Sequence, residues 1–228
     1  MAVPFWLTLV SWISVSAGLV SAVLVLCDIY LLGYREDMKI MEAVWPLTAL
    51  YAGPLAVAAY VRWGRPMSRR RMSTGDGTRG RRLWAGVAVS ATHCGAGCAV
   101  GDLISEWTVF AAGLTLAGST LPAEYSFDYA LALGWGIVFQ YFAIIAVRRL
   151  PARTALRLAA KADFLAISAF EIGLFGWMAI TQLVLFPARL PADSAAFWFL
   201  MQVGMLIGFV TTYPVNWWLI RHGIKEAM

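Results

Sequence analysis

Apolar residues run through this chain in six long blocks, at 4–32, 38–63, 83–112, 128–147, 162–186 and 195–220. Each is near or above the roughly 20 residues an α-helix needs to cross bilayer hydrocarbon. The pattern predicts an all-α fold, a polytopic membrane helix bundle of about six transmembrane helices forming one domain over 1–228. Pro46 and Pro54 lie inside the second block and predict kinks there. Pro122 marks 117–127 as a loop, and Pro187 with Pro191 turns the chain at 187–193. Residues 65–82 read as a basic, Gly- and Ser-containing cytoplasmic loop, and 148–161 as a basic cytoplasmic loop or an interfacial helix. The stretch from Arg221 to Met228 reads as a short polar tail, with His222 solvated.

Composition strengthens the membrane reading. The 228 residues are 61% hydrophobic and 14% charged, with a mean hydropathy of +0.70. Soluble domains hold about 45–50% apolar and about 25% charged residues. The formal net charge is +5, but most basic residues cluster between apolar blocks, so the charge speaks for topology and not for nucleic acid. No cleavable signal peptide is expected, because residues 1–5 carry no basic group and the apolar run that follows is too long. Six crossings and the positive-inside rule put 65–82, 148–161 and Arg221 with Lys225 in the cytoplasm, and both termini inside. The acidic residues then gather on the outer side: Asp28, Glu36, Asp37, Glu42, Asp102, Glu106, Glu124, Asp128 and Asp193. They read either as carboxylates tolerated at an interface or as a funnel that concentrates cations.

The chemistry concentrates in the third block, in Ser90-Ala-Thr-His93-Cys94-Gly-Ala-Gly-Cys98-Ala-Val-Gly-Asp102-Leu-Ile-Ser-Glu106. On a helix Cys94, Cys98, Asp102 and Glu106 follow one another at one-turn steps, each drifting by about 40°. The thiols come near mid-bilayer, with the carboxylates towards the outer face. His93 lies about 100° round from Cys94, so it joins the thiols only if Gly95 and Gly97 let the helix unwind. Three readings stand. One is a soft-metal site, because thiolates and thioethers select Cu(I). Its ligands would be Cys94, Cys98 and His93, with Met201 and Met205 from the sixth block and an outer mouth near Met38 and Met41. The second is a thiol/quinone redox enzyme, with Cys27 as a partner thiol. The third is a scaffold in which Ser90, Cys94 and Cys98 form a small-residue packing seam.

Several stretches carry a resemblance. They are His93-Cys-Gly-Ala-Gly-Cys98, Lys161-Ala-Asp163, Phe170-Glu171-Ile-Gly, Met201-Gln-Val-Gly-Met205 and Asn216-Trp-Trp-Leu-Ile-Arg-His-Gly-Ile-Lys-Glu-Ala-Met228. Together they resemble a bacterial integral-membrane family known as domain of unknown function 4396, from about Trp84 to the C-terminus. The resemblance implies a multi-pass protein of the bacterial plasma (inner) membrane and supplies no activity. The reading of the residues is therefore a protein that binds, and translocates or hands over, Cu(I) or another soft metal ion. Asp102, Glu106 and a mid-bilayer Glu171 would be pathway or proton-coupling groups. Its partners would be the lipid bilayer, the metal ion and either a second copy of the chain or a metal-donor protein. No nucleotide is expected, since no phosphate-binding fingerprint appears. A bis-histidine haem is not expected either, because His93 and His222 lie at different depths. Gln140, Gln182 and Gln202 are expected to bond across helices.

Overall fold

The computed structural model describes residues 3–77, 81–148, 150–186 and 189–226. The predicted all-α architecture is present, and five helices are long and apolar enough to cross a membrane. Helix α1 (Phe5–Tyr30) crosses first. The second apolar block does not follow it across. Helix α2 (Met41–Ala52) ends at Gly53, and the short α3 (Pro54–Ala59) continues through a π-helical turn at Tyr60–Gly64. Gly53 has φ +54°, in the left-handed region open to glycine, and Pro54 starts the next helix. At this point the chain reverses. Trp45 and Tyr60 meet edge to face with centroids 5.7 Å apart. A Cβ on Gly64 would stand 2.7 Å from Trp45 Nε1. The Tyr60 hydroxyl donates to Asp28 at the end of α1 over 2.8 Å, and Arg65 pairs with the same carboxylate.

The block is therefore a re-entrant helical hairpin. Its 12-residue first arm rises only about 18 Å, roughly half a bilayer. Its tip lies beside the middle of α1, where a Cβ on Gly18 would fall 2.4 Å from Leu50 O. That carbonyl, freed by the end of α2, accepts from Gln202 Nε2 at 2.7 Å, and Ser14 donates to the same side chain. The kink expected from the prolines is a full reversal, made by glycine.

The rest is an up-and-down four-helix bundle. Helix α4 (Arg69–Ser73) lies in the basic connection, where the last three residues of 65–80 fall outside the described ones. Then come α5 (Leu83–Ala112), α6 (Thr120–Arg148), α7 (Ala152–Ile180) and α8 (Ala195–Arg221). α6 starts well before the expected 128, because Pro122 sits in its first turn, where a missing N–H costs nothing. Of the stretch read as a loop or interfacial helix, Arg148 ends α6, Arg149 is not among the described residues, Leu150 and Pro151 lie between the helices, and 152–161 make the first three turns of α7. Of the turn expected at 187–193, Pro187 and Ala188 lie outside the described residues. α5 is the central helix: 78% of its apolar stretch is buried, against 28% for α1.

Five crossings change the sidedness. The termini leave the bundle on opposite faces, where six crossings had put them together. The connection 31–40 joins the basic face. Among the described residues Arg189 is then the only Lys or Arg at the opposite face. Asp28, Glu36, Asp37 and Glu42, with Met38 and Met41, lie on the basic side and leave the supposed outer mouth.

Candidate functional site

α5 presents two different faces. Towards α6 it is a glycine seam: a Cβ on Gly97 would be 2.9 Å from Gly136 Cα, and one on Gly101 2.5 Å from Ala132 N. Close backbone approach of this kind is how small residues join membrane helices. This glycine seam lies on a different side of α5 from Cys94 and Cys98. The thiols turn instead towards α7 and α8.

There they join a file of ionisable groups along the core. At the basic end the tail folds back into the bundle. Lys225 Nζ stands 2.9 Å from Asp163 Oδ1 and 3.1 Å from Cys94 Sγ, with side chains 0% and 3% exposed for lysine and aspartate. Burial alone would lower the lysine, but Asp163 and Cys94 hold its pKa above the ordinary lysine value. Asn216 Nδ2 lies 3.8 Å from the same sulfur and donates to Thr212. The tail read as short and polar is exposed at His222 and, at Lys225, part of the core. Ala227 and Met228 lie outside the described residues.

One turn along α5, the Cys98 thiol faces the Glu171 carboxylate of α7. Glu171 is 1% exposed. Beyond it Asp102 is equally enclosed, and neither of its oxygens has a hydrogen-bond partner. Its nearest charged neighbours are all carboxyl groups, Glu171, Asp128 and Glu106. Asp128 lies beside Ser105, and Glu106 beside Glu124 and Arg189. Arg189 closes the far end by pairing with Glu124 and donating to Thr120. From one face to the other the order is Arg189–Glu124, Glu106, Asp128, Asp102, Glu171–Cys98, Cys94, Lys225–Asp163. Ionisable groups enclosed within membrane helices are costly, and among the described residues cationic side chains stand only at the two ends of this file.

The expected site residues divide. Cys94, Cys98, Asp102, Glu106 and Glu171 are brought together along this file. Met201 and Met205 share one buried apolar cluster with both thiols. The His93 ring turns towards α6. α5 is unbroken at Gly95 and Gly97, and the imidazole stacks on Phe139 of α6 at 5.9 Å, with neither ring nitrogen hydrogen-bonded. Cys27 is a free thiol on α1, outside the cluster that holds Cys94 and Cys98. Among the described residues no group of three or more His, Cys, Asp or Glu could hold a metal ion. Gln202 bonds across helices as expected. Gln182 bonds to Leu190 backbone instead, and Gln140 Oε1 is buried without a partner. Asp128, Asp163, Asn216 and Lys225 were not read as site residues. Lys161-Ala-Asp163 and Gly-Ile-Lys225 stood among the quoted motifs, but nothing in the sequence says that they meet.

Fold and site together define an α-helical integral membrane protein with carboxyl and thiol groups in its core. Residues 83–225 match the family described as Domain of unknown function (DUF4396). The match covers α5 to α8 and ends at the lysine that caps the file, so the chain belongs to that family, and the resemblance of its motifs is borne out. No curated protein and no solved structure matches the chain.

Proposed function

We propose that this protein passes a cation across the membrane along the α5–α8 file, and that the cation is the proton. The observation that supports this is the run of buried carboxyl groups between Glu106 and Glu171, with no cationic side chain among them in the described residues. Carboxyls and thiols exchange protons over hydrogen-bond distances, and a file of them replaces water through the hydrocarbon. Lys225–Asp163 and Arg189–Glu124 stand at its ends as fixed charge pairs. The test is proton flux into vesicles of the purified protein, read by an internal pH dye under a potassium diffusion potential. Glu171→Gln should keep the melting temperature in detergent and lose most of the flux. Full flux from Glu171→Gln would sink the reading.

A second reading keeps the soft ion. Cys94, Cys98, Met201 and Met205 lie in one buried cluster, which is a Cu(I) donor set by chemistry. Copper bound in proportion to protein after reconstitution under reducing conditions, and lost in Cys94→Ser and Cys98→Ala, would favour it. His93 has no part in that set. A second copy of the chain or a metal-donor protein would be its partner.

The basic face belongs in the cytoplasm by the positive-inside rule, and the family resemblance suggests a bacterial plasma membrane. The N-terminus would then be outside and the C-terminus inside. A phosphatase reporter should be active at the N-terminus and silent at the C-terminus; activity at neither end would restore six crossings.

A further inference from the structure

The re-entrant hairpin leaves space behind it. α1 packs mainly on α2 and α8, and both of these pack in turn on α5. Because α2 stops at half depth, nothing fills the gap between α1 and α5 above its tip. A cavity of about 400 Å³ lies there, floored by Leu50 and Tyr51 and walled by α1, α5 and α8. That size is within the range of small-molecule sites, roughly 300–1,000 Å³. Its rim residues Leu19, Leu103 and Trp107 are 55%, 44% and 43% exposed on the outside of the bundle, where lipid lies. An occupant reaches it from the bilayer and must be lipophilic.

The wall is mostly apolar, with Met201, Gln202 and Met205 on one side, and among its described residues Asp102 is the one carboxyl group. Asp102 is 2% exposed, and both its oxygens lack a partner. The groups facing it electrostatically are the carboxyls Glu171, Asp128 and Glu106, with no cationic side chain among these described residues. Trp107 and Trp198, stacked with centroids 6.4 Å apart, form the remaining wall. Aromatic faces attract cations, and methionine adapts to irregular shapes. A buried carboxylate without a partner, in an apolar and aromatic pocket open to lipid, complements one class of ligand. We propose that this cavity binds a lipophilic organic cation, with Asp102 as its counter-charge.

The site stands on the cavity and does not require the file to conduct. Binding of labelled tetraphenylphosphonium to the full chain in lipid nanodiscs, against empty nanodiscs, tests it without any flux. The expected result is saturable binding at one per chain, not displaced by tetraphenylborate, which has the same shape and the opposite charge. Asp102→Asn should weaken binding by at least about tenfold, as loss of a desolvated charge partner does. Leu103→Trp blocks the rim from an exposed position, leaves Asp102 in place and should also abolish binding. Asp37→Asn, at the exposed basic edge and far from the cavity, should leave it unchanged. Binding no greater than to empty nanodiscs overturns the proposal. So does equal binding of tetraphenylborate, or a folded Leu103→Trp variant that binds as the parent does. Saturable binding without proton flux would overturn only the proposed function.

Discussion

The two halves of this molecule treat acidic residues in opposite ways. In α1 and the hairpin, acids sit at the basic edge, most of them beside arginine. Asp28 pairs with Arg65, Glu42 with Arg35 at 2.8 Å and Asp37 with Arg69, while Glu36 lies against Arg81. In α5–α8, Asp102, Asp128 and Glu171 have no cationic partner among the described residues, where cations stand at the two ends. An acid with its arginine at an interface holds a fold together. Acids without one, through the depth of the hydrocarbon, cost stability and mark a function.

The comparison can be broken at its strongest point. Lys225→Met leaves Asp163 buried without its cation, so it should cost about 3–5 kcal/mol, as other broken buried pairs do. Thermal unfolding in detergent measures this. The double variant Lys225→Met/Asp163→Asn should recover most of the loss; failure to recover would mean that the lysine acts through packing alone.

Glu36 sharpens the contrast from the other half. Burial, partly offset by Arg81, pushes it from 4.5 up to about 8. Its folded pKa exceeds its unfolded one, so the folded chain holds the proton more tightly. The stability this confers is complete below about pH 4.5 and is lost as pH rises through about 8. Glu36→Gln should flatten that part of the pH–stability curve, with its largest gain above pH 8. An unchanged slope would remove Glu36 from the account.

The smallest effect is expected at Asp37. Its contact with Arg69 is 3.7 Å long and largely exposed. Asp37→Asn should change stability by no more than about 0.5 kcal/mol. A larger loss would show that the hairpin's edge pairs act as a network.

What the sequence by itself determined was the solvent of each segment and the register along each helix. The hydropathy blocks located every crossing helix, and the four-residue steps from Cys94 to Glu106 put thiols and carboxylates on one side of α5. Both follow from the 3.6-residue turn and from the cost of polar groups in lipid. Tertiary structure alone decided the hairpin, because a block of lipid-soluble residues reads alike whether it crosses or returns. The reversal depends on the backbone at Gly53 and on contacts such as Trp45 with Tyr60. The partners of the file were hidden for the same reason. Lys225 meets Cys94 across 131 positions, and no local pattern reports a contact that exists only once α5, α7 and the tail are packed together.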